Sequence, residues 1–557
     1  MNLPESSSRK KWSIELRSTH FVLAVSAIFL AFYNTRFFAS LIAATHFLTG
    51  KEILFVANVT LLVFALTFLV ISLFTLPRIG KPLLMLIFWI AAGAAYFMQT
   101  YGIVIHTLMI QNVVETDISE VRDLLSPSLL GYLLVLGLLP SLILSRIRIR
   151  FGSLKTETIT KAKSIAAALL AVVALLGSMH SDYIALFRNH KNVRQMVNPL
   201  NFIYAGISYA SSRNVVTAIK PIETDARIDA AGQLQSKPTL LILVIGETAR
   251  ADHFGINGYA RDTTPNLAQQ DIVNFTQVTS CGTETAASVP CMFSNLGRSD
   301  YSDSKAKSQE GLLDVVKHAG VNLLWRDNNS GCKGTCDRVT HENVQHLQVP
   351  ALCNARECFD EVLLQDMDAK LSASPGSLLL VLHQKGSHGP DYYHRYPQSM
   401  EHFKPVCQSN ELQQCAQGDV INAYDNSIRY TDYFLSQAID WLKSKQDRYD
   451  TSLVYISDHG ESLGENGMYL HGMPYMIAPE TQKHVPMIFW LSDNFKQDHA
   501  IDSGCMKNLS ANPYSHDNLF HTVLGMLNIS STVYDQKLDI IHPCRSRAVQ
   551  QSLAHHA

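Results

Sequence analysis

Cysteine is missing from the first 280 residues of this 557-residue chain; all ten cysteines come later. Charge is scarce as well. Asp, Glu, Lys and Arg supply 17% of the residues, below the roughly 25% usual for soluble proteins. The shortage is concentrated at the N-terminal end, as in a chain that sits partly in lipid. Neither sign prevails: 46 Lys and Arg against 48 Asp and Glu leave a net charge of −2. That excludes the global basic field of a nucleic-acid-binding protein, and no nucleic-acid partner is expected. No internal repeat or low-complexity tract is present, and the length exceeds one ordinary domain.

Matched pairs of closely spaced cysteines, the mark of a structural zinc site, are absent too. The ten cysteines instead form close local pairs, which read as disulfides in an oxidising compartment. Sequential pairing joins Cys281 to Cys291, Cys332 to Cys336, Cys353 to Cys358 and Cys407 to Cys415, and leaves Cys505 with Cys544 by elimination.

What the N-terminal part does contain is five apolar runs of roughly spanning length, near 20–43, 53–75, 83–105, 129–144 and 164–179. The first is too long for a signal peptide, lacks a small-residue cleavage site and is followed by four more. Basic residues orient them. Arg9, Lys10, Lys11 and Arg17 precede the first run, Arg78 and Lys81 lie between the second and third, and Arg146, Arg148, Arg150, Lys155, Lys161 and Lys163 lie between the fourth and fifth. All fall on the cytoplasmic side if the first span starts inside. The loop with Glu115, Asp117, Glu120, Arg122 and Asp123 then falls outside, as does everything after the fifth span, where disulfides form.

Residues 181–236 read as a linker with amphipathic pieces. The stretch 201–210 mixes aromatic and small residues and fits either the bilayer surface or an ordinary connecting helix. From Thr239 short apolar runs (240–245, 321–325, 378–382, 453–456, 486–490) alternate with helical stretches (311–319, 361–371, 418–443, 516–527). This alternation predicts an α/β domain with a mostly parallel sheet and helices on both faces. In such sheets the site lies at the carboxyl ends of the strands. The organisation expected is therefore a five-helix transmembrane domain over 1–180, a linker over 181–236 and a periplasmic catalytic domain over 237–557.

Glu247, His383, Asp458 and His459 directly follow apolar runs. Two carboxylates and an imidazole at strand ends suit Zn²⁺ and leave a position for a nucleophile. The segment Cys281-Gly-Thr-Glu-Thr-Ala-Ala-Ser-Val-Pro-Cys291 offers one in Thr285, with Thr283 and Ser288 as rival hydroxyls. A threonine hydroxyl is inert at neutral pH until coordination to a metal lowers its pKa. A helix starting near Ala286 would aim backbone amides at a phosphate; an isolated threonine there would otherwise be a helix cap. Asn329, Lys333, His388 and His471 form a further group able to hold a phosphoryl group. Lys333 lies inside the Cys332–Cys336 ring, and both histidines have glycine neighbours that let backbone pass close to a ligand. His383 reads as a support for the site or as structural.

At these residues the sequence closely resembles the phosphoethanolamine transferases of Gram-negative envelopes, the lipid A-modifying enzymes and the related colistin-resistance group. Their catalytic domain belongs to the alkaline phosphatase/sulfatase superfamily. The matching motifs are Gly246-Glu247-Thr248-Ala-Arg250, Thr283-Glu-Thr285-Ala-Ala-Ser-Val-Pro-Cys291, Asp327-Asn-Asn-Ser-Gly-Cys-Lys333, His383-Gln-Lys-Gly-Ser-His388-Gly-Pro390 and Ser457-Asp458-His459-Gly460-Glu461-Ser-Leu-Gly464. The resemblance spans essentially the whole chain. It implies an inner-membrane enzyme in which Glu247, Thr285, Asp458 and His459 bind catalytic zinc and Thr285 becomes phosphoethanolamine-modified. Asn329, Lys333, His388 and His471 would hold the phosphoryl group or a second metal. Asn112 and Glu115, in Gln111-Asn112-Val-Val-Glu115-Thr116-Asp117, look like donor-site residues; helix capping and a solvated outer face are the plainer alternative. Ten cysteines fit the five-disulfide members better than the three-disulfide mobile resistance enzymes, which points to a chromosomal type.

The reaction implied is ping-pong: Thr285 takes phosphoethanolamine from phosphatidylethanolamine, diacylglycerol leaves, and a lipid A phosphate accepts the group. The expected partners are thus those two lipids and the membrane, with the enzyme acting as a monomer. A related transferase acting on a core sugar, Kdo or heptose, would carry the same motifs. A membrane-anchored phosphodiesterase or sulfatase shares the fold, but Cys291-Met-Phe-Ser294 lacks the Cys/Ser-x-Pro-x-Arg context a sulfatase requires. Paired cysteines argue against a glycerol-phosphate polymer synthase. A non-enzymatic sensor would not gather Glu, Thr, Asp and His at strand ends.

Overall fold

A computed structural model describes residues 14–45, 50–116, 118–190, 193–213, 218–233, 235–354 and 356–546. The basic residues Arg9, Lys10 and Lys11, and Asp117 of the outer loop, lie outside these. The chain forms two compact units: Met1–Ile110 with Leu125–Ser208, and Gln111–Leu124 with Tyr209–Ala557. The linker expected over 181–236 is divided between them.

Among the described residues of the first unit, four helices are long and apolar enough to cross a membrane: Gly50–Phe74, Gly80–Tyr101, Pro127–Arg146 and Leu154–Ser178. The run expected near 20–43 is a bent pair, Ser18–Phe32 and Thr35–Thr45, at 62°, which makes a fifth if it counts as one span. Asn34 explains the break. It is fully buried, its amide donates to the carbonyls of Phe29 and Asn198, and its Oδ1 accepts from the Asn198 amide. Its side chain adds a second donor to the Phe29 carbonyl, which the Tyr33 amide already uses, and ties the chain to Asn198, so the ladder does not continue past it. Pro140 has a similar effect in Pro127–Arg146. Without an amide hydrogen it cannot bond the carbonyl of Leu136, which instead accepts the hydroxyl of Tyr33. The stretch 201–210 lies in a helix, Leu200–Arg213, with Tyr204 and Ile207 exposed.

The second unit is built on an eight-stranded sheet. Its strands are β1 (Thr239–Gly246), β2 (Ile272–Thr279), β3 (Asn322–Asp327), β4 (His341–Asn343), β5 (Leu378–His383), β6 (Asp450–Ser457), β7 (His484–Leu491) and β8 (Tyr514–Ser515), in the order β8-β2-β7-β6-β1-β5-β3-β4. Only β7 runs antiparallel to its neighbours. Central β1 alternates between two cores: Leu241, Leu243 and Ile245 pack with Val289, Val315 and Phe520, whereas Leu240, Ile242 and Val244 pack with Ile428 and Phe434. Burial of both faces is why β1 is apolar from Leu240 to Ile245 and β6 from Leu453 to Ile456.

Strand β2 was not foreseen. Its pattern is half polar because only Val273, Phe275 and Val278 are buried. The helix expected over 361–371 is instead a 3₁₀ turn, Asp360–Leu364, and a short helix, Met367–Ser372, parted at Asp366 with φ of 55°. Asp360 is held in place by accepting from Asn328, Lys385 N and Gly386 N.

Candidate active site

Register brings the chemistry together. Ile245 pairs with His383, Gly246 with Ser457 and Asp327 with His383. The residues that follow β1 and β6, Glu247, Asp458 and His459, therefore emerge side by side, and all three are fully buried. Two glycines make the approach possible. A Cβ on Gly246 would strike the Tyr455 hydroxyl at 2.5 Å, and one on Gly386, already at φ of 55°, would strike the Glu247 backbone at 2.7 Å.

One ligand atom each from Glu247, Asp458 and His459 lies within 4.8 Å of the other two. The Thr285 hydroxyl donates to Glu247 Oε2 at 3.0 Å and lies 3.4 Å from His459 Nε2. Asp458 Oδ1 accepts from the amides of Thr248 and His459. His459 Nδ1–H donates to the Gly460 carbonyl at 2.9 Å, which leaves its Nε2 lone pair for the centre. Glu247 Oε1 and Asp458 Oδ2 are buried without a hydrogen-bond partner. Burial and then the charge of Asp458 push Glu247 up to about 7, and burial pushes Asp458 up to about 7. Burial also drives His459 well below the usual imidazole range. Two bare carboxylate oxygens, a neutral imidazole nitrogen and a hydroxyl form a donor set that fits a divalent cation.

Thr285 opens the helix Thr285–Met292, with Glu284 as its N-cap, so the first amides of the helix face the same space. The disulfide Cys281–Cys291 ties the two ends of this segment. The rival hydroxyls are elsewhere: Thr283 Oγ1 donates to the Met473 carbonyl at 2.6 Å, and Ser288 faces Gly282. The other disulfides join 332 to 336, 353 to 358, 407 to 415 and 505 to 544.

The other candidates divide. Asn329 belongs to the centre: its amide donates to Glu247 Oε2 at 2.6 Å. His471 and His388 line the approach, with ring centroids 4.4 Å from His459 to His471 and 5.3 Å from His471 to His388. His471 Nδ1 meets Glu461 at 3.1 Å; burial opposes its charge, but Glu461 more than offsets that, and the pKa rises to about 9. His388 Nε2 meets Glu120 at 2.8 Å. Lys333, at φ of 52°, turns its ammonium to Ser330 and does not reach Glu247 or Thr285. Asn112 donates to Glu284 Oε2 at 2.5 Å, whereas Glu115 accepts from Gln111 and lies 3.9 Å from Lys307. His383 is structural: Nδ1 meets Asp327 at 2.9 Å, beside Asn329.

Four residues at the site were not singled out by sequence reasoning. Glu461 sits within a motif already noted, three residues beyond Asp458. Glu284, beside the nucleophile, is pushed up to about 8 by burial. His516 accepts from the Cys281 amide at 3.1 Å and donates to the Ser457 carbonyl at 2.9 Å, so it bridges the Thr285 loop and the strand bearing Asp458. Arg395 donates to the carbonyl of His388 at 2.7 Å.

A buried hydroxyl aimed at paired carboxylates, with helix amides opposite and histidines above, suits nucleophilic attack on a tetrahedral phosphorus. Comparison with known proteins agrees. The profile of the Sulfatase family matches residues 239–529, and that described as "Phosphoethanolamine transferase EptA/EptB" matches 63–214. The chain is 42% identical to the phosphoethanolamine transferase EptA of Salmonella typhimurium over 89% of this chain and 91% of that one. It is 38% identical to the phosphatidylethanolamine transferase Mcr-1 of Escherichia coli over 92% and 95%. The structure of the integral membrane lipooligosaccharide phosphoethanolamine transferase A of Neisseria meningitidis matches with a TM-score of 0.92 at 37% identity, covering 96% of this chain and 99% of that one.

Proposed function

The chain belongs to the phosphoethanolamine transferase family, as an integral membrane member with a periplasmic catalytic domain, and on that premise we propose that it moves phosphoethanolamine from phosphatidylethanolamine to a phosphate of lipid A through an adduct on Thr285. The observation that carries this reading is the Thr285 hydroxyl, 3.0 Å from Glu247 and 3.4 Å from His459 at the ends of β1 and β6.

The metal of this reading is Zn²⁺, held by Glu247, Thr285, Asp458 and His459; when bound it would supply positive charge that eases loss of the threonine proton and stabilises the phosphoryl oxygens. In the first half-reaction the bond from Thr285 Oγ1 to phosphorus forms as the phosphorus–oxygen bond to diacylglycerol breaks. Glu247 Oε2 accepts the hydroxyl's hydrogen bond, fixes where its lone pairs point, takes the proton as the bond to phosphorus forms and returns it when that bond later breaks, while Asn329 holds that same oxygen. His471, kept charged by Glu461, carries a proton that the departing diacylglycerol oxygen can take. The amides of the Thr285–Met292 helix face the charge that develops on phosphorus. In the second half-reaction an oxygen of a lipid A phosphate attacks in line, the bond to Thr285 breaks, and its hydroxyl is restored. The donor headgroup meets Asn112 and Glu115, with Lys333 and His388 at the phosphoryl group. The added amine offsets phosphate charge on lipid A and weakens polymyxin and colistin binding.

The test is mass spectrometry of lipid A from a polymyxin-sensitive host expressing the chain or its Thr285→Ala variant. A phosphoethanolamine increment with the parent and none with the variant is expected. Unmodified lipid A with modified core sugars would move the acceptor to Kdo or heptose. No modification of either would leave a phosphodiesterase.

A further inference from the structure

Arg395 is a buried cation outside the motifs that define the site. Its side chain is 1% exposed, and its guanidinium is used on three sides. Nε donates to the His388 carbonyl at 2.7 Å, Nη1 to Glu357, and Nη2 to Asp123 at 2.6 Å. Asp123 and Glu357 are themselves 8% exposed. A planar fork spreads its donors over three nitrogens in fixed directions and can serve three separated acceptors at once; a lysine ammonium offers its three donors from a single nitrogen and does not match that spread.

Asp123 ends the short helix Ile118–Asp123, and Glu120 lies one turn earlier on the same face. These two carboxylates grip two residues of one loop: Glu120 meets His388 Nε2 at 2.8 Å and Asp123 meets Arg395. Asn410 fixes the end of the helix by donating to the Asp123 carbonyl at 2.9 Å. The segment's earlier residues reach the nucleophile side through Asn112 and Glu284. All of Gln111–Leu124 belongs to the same compact unit as the catalytic sheet, although in sequence it is flanked by the spans Gly80–Tyr101 and Pro127–Arg146. Asp391 completes the surroundings of Arg395. Burial and then the charge of Asp123 push it up to about 7.

We infer that Arg395 is a positioning residue: with Asp123 it clamps segment Gln111–Leu124 onto the catalytic sheet and thereby sets His388, so that docking of the segment and assembly of the phosphoryl site are one event. The inference rests on the proposed reaction for its activity readout only. A guanidinium that holds a backbone carbonyl of the His388 loop on one side and a carboxylate of the segment on the other transmits any displacement of one to the other. A shift of about 1 Å at a reacting group costs on the order of 100-fold in rate.

The test uses the full chain in lipid nanodiscs with headgroup-labelled phosphatidylethanolamine. It compares the parent with Asp123→Asn, which leaves Arg395 paired to Glu357, and Arg395→Lys, which keeps the charge and loses the fork. The rate of label transfer to the protein, the KM for the donor, the melting temperature and hydrogen–deuterium exchange over 111–124 and 384–392 are measured. Both variants are expected to lower kcat by ~10- to 100-fold and to speed exchange in those two stretches more than in the rest of the catalytic domain, beyond what any fall in melting temperature accounts for. Asp123→Asn and Glu120→Gln combined should cost less than the sum of the two, because they undo the same docking. Parent-like exchange over 111–124 in both variants overturns the clamp, as does a loss of rate that merely follows a fall in melting temperature. If the parent itself takes no label, the donor reading fails and the exchange comparison alone decides the clamp.

Discussion

Thr285 donates its hydroxyl to Oε2 of Glu247 at 3.0 Å, the oxygen that Asn329 also holds at 2.6 Å. The acid that orients the nucleophile is therefore itself oriented from the far side. Thr285→Val, which keeps shape and removes the hydroxyl, is expected to cut transfer by at least ~10³-fold. Asn329→Ala should lower kcat more than it raises KM, since it leaves Glu247 free to turn. Steady-state transfer assays on the two variants check both.

Metal affinity should fall as the solution is acidified through neutrality. Glu247 and Asp458 each release their proton only near 7 when the centre holds no cation, because burial disfavours their charge. Zn²⁺ takes the deprotonated forms, so below pH 7 protons compete with it, by about tenfold in affinity per pH unit for each proton displaced. Stability of the protein stripped of metal by a chelator runs the opposite way. Acids whose folded pKa is raised stabilise the fold below their unfolded pKa, and that contribution is lost as pH rises through about 7. The chelated protein should therefore melt lower at pH 8 than at pH 5, and Zn²⁺ should recover most at pH 8. Calorimetric titration and thermal melts across that range check it.

Glu461 governs the charge of His471. Burial disfavours the imidazolium, and the carboxylate at 3.1 Å overcomes this to hold the group near 9. In Glu461→Gln the pKa of His471 falls, so the alkaline limb of the pH–rate profile should move to lower pH while activity at acid pH is largely kept. A limb at the parent's position would remove His471 from the proton transfer.

His516 bridges two backbone segments with both ring nitrogens, and burial lowers its pKa to about 4, so it stays neutral at working pH. His516→Phe strands the Cys281 amide and the Ser457 carbonyl. A loss of about 1–3 kcal/mol is expected for each buried group left unpaired, read by denaturant unfolding, together with slower transfer.

How far the sequence discloses this site depends on distance along the chain. Glu247 and Asp458 stand out because each closely follows an apolar run, and the parallel register of β1 and β6 then makes them neighbours. Asn329 and His471 stand out through their motifs. The contacts of Asp123 with Arg395 and of Asn112 with Glu284 do not, since the partners are 272 and 172 positions apart in unlike loops with no periodicity to read. His516 looks like any polar residue at a helix start, and its role exists only once β2, itself half polar, has brought Cys281 beside Ser457. Lys333 stands out through its motif as well, and its ammonium donates to Ser330.

The most direct measurement is peptide mass spectrometry of the protein after incubation with phosphatidylethanolamine and no acceptor. The account predicts a phosphoethanolamine adduct on Thr285, within the segment closed by Cys281 and Cys291, that disappears when lipid A is added. An adduct on another residue, or transfer to lipid A by the Thr285→Ala variant, would contradict it.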